Sequence, residues 1–124
     1  MLALWETSRS AVSVTEDTAE AVAALIGQPG SVLLLAWEES LLVGTLVVGW
    51  DGWRGNMYRL AVVEEARRRG IALSLVEAGH AHLRSIGARR VTALVGVDQE
   101  AAAALWEAAG YARDDRIDRF VRNL

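Results

Sequence analysis

A strand, a long helix and a second strand follow one another between residues 56 and 97, and this order constrains the fold more than any other feature. Residues 56–63 read as an apolar strand. The charged turn Glu64-Glu65-Ala66-Arg67-Arg68-Arg69 follows, and Gly70 opens a helix that runs to residue 86. Ala72, Leu75, Val76, Gly79, Leu83 and Ile86 recur at helical spacing and make one apolar stripe. Gly87 stops the helix, and residues 90–97 form the next strand. A strand–helix–strand unit within one sheet crosses over right-handed, so the two strands should be parallel neighbours. Gly79 in mid-helix costs about 1 kcal/mol against alanine. Tight packing on the sheet is the expected reason.

Upstream, residues 31–37 and 41–50 are apolar strands joined at Glu38-Glu39-Ser40, which predicts a hairpin. Gly44 inside the second strand signals a bulge or a close backbone approach. Asp51-Gly52-Trp53-Arg54-Gly55 turns the chain into the strand at 56–63, so three strands form an antiparallel meander. A short helix is expected over residues 2–10. A second begins at a cap on Thr15 or Asp17, with Glu20 as capping-box partner, and ends at Gly27-Gln28-Pro29-Gly30. Residues 99–109 form an alanine-rich helix stopped by Gly110. Residues 111–113 and 117–122 read as a closing hairpin turned at Asp114-Asp115. The whole, 1–124, is expected to be one domain.

Composition removes several function classes. The net charge of −3 argues against a sequence-independent grip on nucleic acid. There is no cysteine, hence no disulfide, thiolate metal site or cysteine nucleophile, which fits a reducing compartment. All 13 basic residues are arginine, so Schiff-base lysine chemistry is excluded. The longest apolar run, at 41–50, is far short of a membrane span, and the first residues lack a signal-peptide pattern. A cytoplasmic protein with no membrane partner is the expectation. His80 and His82 are two apart on a helix and do not share a face, so no metal is expected. Trp5, Trp37, Trp50 and Trp53 are mainly core candidates.

The turn before Gly70 can hold an anion. Backbone N–H groups entering a helix converge on one spot, and the helix dipole adds partial positive charge there. Gly70 lets a ligand approach the backbone, and Ala72 keeps the first turn thin. The same residues would also serve as a solvated turn that caps a helix. No Gly-x-Gly-x-x-Gly follows the first strand, and no Gly-Lys-Ser/Thr is present, so the Rossmann and Walker phosphate sites are ruled out.

Arg67-Arg68-Arg69-Gly70-Ile71-Ala72 resembles the pyrophosphate loop of the GNAT N-acetyltransferases, Gln/Arg-x-x-Gly-x-Gly/Ala. Asp98-Gln99-Glu100-Ala101-Ala102-Ala103-Ala104-Leu105-Trp106-Glu107-Ala108-Ala109-Gly110-Tyr111 is similar to the second motif, Asn-x-x-Ala-x-x-Leu-Tyr-Glu-x-x-Gly-Phe/Tyr. Ala102, Leu105, Glu107, Gly110 and Tyr111 match; Gln99 and Trp106 stand where Asn and Tyr are usual. Val43-Gly44-Thr45 followed by Asp51-Gly52-Trp53-Arg54-Gly55 resembles the YpeA-like branch. The likeness covers nearly the whole chain from about Leu4.

The resemblance implies an α/β (α+β) fold of the acyl-CoA N-acyltransferase kind: a mixed, mostly antiparallel sheet with a central parallel pair and flanking helices. It implies acetyl transfer from acetyl-CoA to an amine by direct attack in a ternary complex, without a metal. The thioester would lie between the two parallel strands where they splay. Leu60, Ala61 and Val62 would hold the pantetheine and polarise the acetyl carbonyl. Arg67, Arg68, Arg69, Gly70, Ile71 and Ala72 would bind the pyrophosphate, with Gln99 and Ala102 completing the cofactor site. Trp53 would border the acceptor. The partners implied are acetyl-CoA and a small-molecule or protein amine.

Two departures bear on turnover. Trp106 occupies the place of the Tyr that protonates the leaving thiolate. The strand at 56–62 carries no acid to serve as base, which leaves Asp51, Glu64, Glu65 and Glu107 as candidates. A catalytically weakened acyl-CoA-binding or regulatory protein of the same fold is therefore the alternative. Relatives of this kind begin with an edge strand ahead of the first helix, and this sequence begins at the helix. The apolar strand at 31–37 is then expected at the sheet edge, covered by a second copy in a homodimer unless the natural chain starts earlier.

Overall fold

The computed structural model describes residues 2–8, 18–95 and 100–124. Helix α1 (Leu2–Ser8) and helix α2 (Ala19–Ile26) precede strands β1 (Val32–Glu38), β2 (Leu41–Trp50) and β3 (Gly55–Val62). Helix α3 (Ile71–Ser85), strand β4 (Val91–Ala93) and helix α4 (Glu100–Ala108) follow. The strands form one sheet in the order β1-β2-β3-β4. The first two pairings are antiparallel and β3–β4 is parallel, as the crossover requires.

Strand β2 is buried without a break from 43 to 49 because helices cover both faces of the sheet. Alternate side chains point to opposite faces. Leu46 and Val48 meet Leu75, Val76 and Leu83 of α3 and Trp106 of α4. Val47 and Ala61 meet Trp5 of α1 and Val22 of α2 on the other side. An unbroken apolar run is what a strand sandwiched in this way needs.

Two glycines set how closely α3 approaches. A Cβ on Gly79 would stand 2.7 Å from Met57 Cε and 3.1 Å from Val48 Cγ2, which is the tight packing expected of a mid-helix glycine. A Cβ on Gly44 would stand 3.1 Å from both Ile71 Cγ2 and Leu75 Cδ1. Gly44 thus seats the first turns of α3 on β2. It also lies beside a bulge, since the pairing moves from Ala36↔Gly44 to Trp37↔Leu42 and leaves Val43 as the extra residue.

Several expectations need correction. The cap of α2 is Thr18, whose hydroxyl accepts from the Ala21 N–H at 3.1 Å; Thr15 and Asp17 lie outside the described residues. Strand β4 covers only Val91–Ala93 rather than 90–97, because its ladder with β3 stops at Met57↔Ala93; residues 96–97 lie outside the described residues. The closing hairpin is not formed: residues 111–124 contribute no strand. Ile117 and Phe120 are 69% and 94% exposed, and apolar side chains without a neighbouring strand to pair with do not make a sheet. Among the described residues the parallel pair stands at one side of the sheet. Trp37 and Trp53 are exposed and not core, whereas Trp5 is buried.

Candidate active site

The site forms where β3 and β4 part. The two strands pair only at Gly55↔Val91, Asn56↔Thr92 and Met57↔Ala93. Beyond Met57, β3 continues to Val62 with β2 alone as its partner among the described residues. Its other edge therefore offers main-chain groups to the gap.

Strand alternation tells which groups face that gap. The Gly55 N–H donates to Arg90 C=O at 3.0 Å, so the Gly55 and Met57 amides face β4. The Val63 N–H donates back to Val43 C=O on β2 at 2.9 Å, so the Ala61 amide faces β2 as well. The Leu60 and Val62 amides are then the ones turned to the gap. Ala61 points its side chain into the core with Trp5 and Val22. Of the three residues named from the sequence, two offer an amide to the gap and Ala61 does not.

The loop that follows is held from below by its own arginines. Arg67 Nε donates to Val62 C=O at 3.0 Å. Arg69 Nη1 reaches both oxygens of Glu38 at 2.8 and 2.7 Å, and Nη2 donates to Glu65 C=O at 3.1 Å. Arg69 is thus a strut to the end of β1 with its charge paired. Arg68 has no partner among the described residues and has φ +67, a left-handed conformation that non-glycine residues rarely adopt.

Above this base the start of α3 is open. Gly70 is the N-cap, with φ +79 and no side-chain cap bond. The helix ladder begins with the Ser74 N–H to Gly70 C=O bond at 3.0 Å, so the N–H groups of Ile71, Ala72 and Leu73 have no intrahelical acceptor. A Cβ on Gly70 would meet nothing within 4 Å, so the helix start is open at that position. Ile71 contributes backbone only, since its side chain packs against the core. The geometry fits an anion such as a pyrophosphate.

The expected chemical groups are less well gathered. Trp106 is buried in the core and meets Tyr111 edge-on, centroids 4.9 Å apart. Its indole N–H has no acceptor among the described residues. Ala102 is half-buried on α4, and Gln99 lies outside the described residues. Asp51 and Glu64 flank opposite ends of β3, whose eight residues span roughly 26 Å, so one site cannot use both. Asp51 Oδ1 accepts from the Arg54 and Trp53 N–H groups at 2.6 and 2.8 Å, and these bonds hold its carboxyl below the usual carboxylate range. It is a weaker base for that reason. Glu64, Glu65 and Glu107 are exposed. Trp53 is 72% exposed in the β2–β3 turn, with the Arg54 guanidinium 4.1 Å over its ring. No group of three potential metal ligands occurs among the described residues.

One pair escaped the sequence reading. His80 Nε2 lies 2.7 Å from the Tyr111 hydroxyl, and the rings stack. Burial, helped by the Glu77 charge, pushes Tyr111 up to about 12, and burial and the Asp51 charge also raise Tyr58. These are the only tyrosines. A phenol raised in the folded state contributes stability that is complete below its unfolded value near 10 and is lost as pH rises through about 12. Absorbance titration near 295 nm should show less phenolate at pH 10 in the folded protein than in the unfolded one. Tyr111→Phe should remove the later of the two transitions.

A mixed sheet that parts beside an open helix start is the architecture expected of the acyl-CoA acyltransferases. The sequence pattern of the Acetyltransferase (GNAT) family matches residues 2–111, and the chain belongs to that family of acyltransferase enzymes. N-alpha-acetyltransferase 30 of Schizosaccharomyces pombe is 31% identical over 94 residues. The match covers 72% of this chain and 63% of that protein, so the chain spans less than two thirds of this curated relative. Among solved structures, the fold is shared with aminoglycoside acetyltransferase meta-AAC0020 from an uncultured soil sample, in complex with trehalose. There the TM-score is 0.79 and the identity 18%, covering 99% of this chain and 85% of the other. It is shared too with AAC(6')-Iy in complex with a CoA-linked bisubstrate analogue, at TM-score 0.77 and 12% identity, covering 99% and 89%.

Proposed function

We propose that the chain transfers an acetyl group from acetyl-CoA to an amine by direct attack in a ternary complex. The observation that carries this reading is the parting of β3 and β4 after Met57, directly before a helix start with free amides. The amides of residues 70–72 would bind the pyrophosphate, with Arg68 adding charge. The pantetheine would run along the open edge of β3. An amide of Leu60 or Val62 would stabilise the oxyanion as the amine attacks, a preorganised donor that needs no side chain. CoA supplies the acyl thioester and leaves as thiolate. A thiol pKa near 8.5 makes that departure tolerable without a general acid. An amine arriving unprotonated needs no base before it attacks, and the proton its nitrogen loses as the amide forms goes to the departing thiolate.

A second reading is favoured by Trp106. An indole N–H donates a hydrogen bond but not, in practice, a proton. General-acid help is commonly worth about 10²–10⁴-fold, and the chain could bind acetyl-CoA while turning it over slowly or not at all. One experiment separates the two. Both readings expect acetyl-CoA to raise the melting temperature, since a ligand at 100 times its Kd adds about 2.7 kcal/mol to the folded state. Only the transferase releases free thiol in proportion to an added amine. A panel of amino sugars, peptide N-termini and small polyamines with thiol detection is the assay. Stabilisation without amine-dependent thiol selects the binding protein, and no stabilisation refutes both.

A further inference from the structure

Thr45 is the most deeply buried polar side chain on the α1 side of the sheet, with no exposed surface, and its hydroxyl is committed twice. Trp5 Nε1 donates to Thr45 Oγ1 at 2.6 Å, and Thr45 Oγ1 donates to Arg59 C=O at 3.0 Å. The direction of the relay follows from chemistry alone: an indole N–H only donates and a carbonyl only accepts.

The carbonyl it reaches belongs to an irregular residue. Arg59 has φ +53 in the middle of a strand. The β2–β3 register moves there from Val47↔Tyr58 to Thr45↔Ala61, so Arg59 and Leu60 together oppose Leu46. This is a β-bulge, and a bulge unpairs a residue of the ladder. A left-handed non-glycine residue costs of order 1–3 kcal/mol and persists only where its surroundings hold it. Here the Thr45 hydroxyl takes the carbonyl that the ladder has released.

The bulge decides which amides reach the gap. Gly55 and Met57 turn theirs to β4, and simple alternation would carry this on to Arg59, Ala61 and Val63. The Val63 N–H instead bonds to β2. The phase has changed once, at the bulge, and Leu60 and Val62 face the gap as a result.

We infer that Trp5 and Thr45 are positioning residues for acyl transfer. Their relay holds the Arg59 bulge in the register that aims the Leu60 and Val62 amides at the thioester carbonyl. The inference rests on the acetyl-CoA reading above, and its test separates the two. Amide resonances of the whole chain are followed as acetyl-CoA is added to wild type, Thr45→Val, Thr45→Ser and Trp5→Phe. Amine-dependent thiol release is measured alongside, per folded molecule.

In wild type, Leu60, Val62 and residues 70–72 should all shift. Thr45→Val should lose the Leu60 and Val62 responses, keep those at 70–72, and lower kcat at least tenfold with KM for acetyl-CoA within threefold. Thr45→Ser keeps a hydroxyl and should restore both readouts. Trp5→Phe keeps an aromatic ring, though a smaller one, without the donor and should fall between, which retains the test should Thr45→Val not fold. Unchanged Leu60 and Val62 responses in Thr45→Val and Trp5→Phe overturn the relay and leave the acetyl-CoA reading standing. So does a loss confined to KM. No response at 70–72 in wild type overturns both together.

Discussion

Gly70→Glu should raise the Kd for acetyl-CoA by more than about 100-fold, roughly 2.7 kcal/mol, while leaving the protein folded. Two effects act at this position and they can be separated. Gly70 has φ +79, so any other residue is strained by about 1–2 kcal/mol. A Cβ there meets nothing within 4 Å, so there is no clash to add. A glutamate at a helix N-terminus is itself favourable by about 0.3–1 kcal/mol, which offsets part of the strain. The fold therefore survives, but the carboxylate stands where the pyrophosphate would bind and repels it. Gly70→Ala carries the strain without the charge and should keep affinity within about tenfold. Calorimetric titration of acetyl-CoA into both variants decides the matter. Equal weakening by Ala and Glu would mean that negative charge is irrelevant at this spot, and the anion assignment would fall.

Gly79→Val should have the opposite profile, a large loss of stability without any change at the loop. The added Cβ would lie 2.7 Å from Met57 Cε, 3.1 Å from Val48 Cγ2 and 3.4 Å from Leu46 Cδ2. All three neighbours are buried, and of the contacting atoms only the Met57 tip can give way. Overpacking of this kind costs typically 1–3 kcal/mol, and a β-branched side chain has two further carbons to place. We expect about 3 kcal/mol and a melting temperature lower by roughly 10 °C. Gly79→Ala is the informative companion. It gains about 1 kcal/mol of helix propensity, and its single carbon meets the flexible tip of a methionine first, so it should be close to neutral. Urea unfolding of the pair checks this; a Val variant as stable as wild type would show that close packing is not what requires glycine here.

The two glycines also show how far the sequence could be read. Gly79 sits in an apolar stripe at helical spacing, so its close contact with the sheet was legible from position alone. Gly70 was legible as the hinge between a charged turn and a helix, and its left-handed conformation agrees. The three arginines before it looked equivalent in sequence and are not. Arg69 is paired with Glu38, a residue 31 positions away on another strand, and only the fold brings them together. Arg67 turns back to the end of β3. Arg68 has no partner among the described residues.

Failures of the reading have a common cause. The apolar residues at 117–122 suggested a strand, but a strand exists only with a partner, and periodicity does not supply one. Trp37 and Trp53 suggested core because they are large and apolar, but β1 is the sheet edge among the described residues and residue 53 is in a turn. His80 was considered only as a metal ligand; its partner Tyr111 lies 31 residues further on and is reached by the fold of α4 against α3.

The order of elements, the parallel crossover, the helix start suited to an anion and the family resemblance are all legible in the sequence. Each depends on local spacing: apolar period, turn residues, glycine position. Where β3 and β4 separate, and which amides face the gap, is seen first in the folded chain. The choice of amides turns on one bulge, where Trp5, Thr45 and Arg59 meet across 54 positions of chain. No local pattern marks Arg59 as left-handed, because the hydrogen bond to its carbonyl comes from Thr45 on another strand, which is itself bonded by Trp5 on a helix.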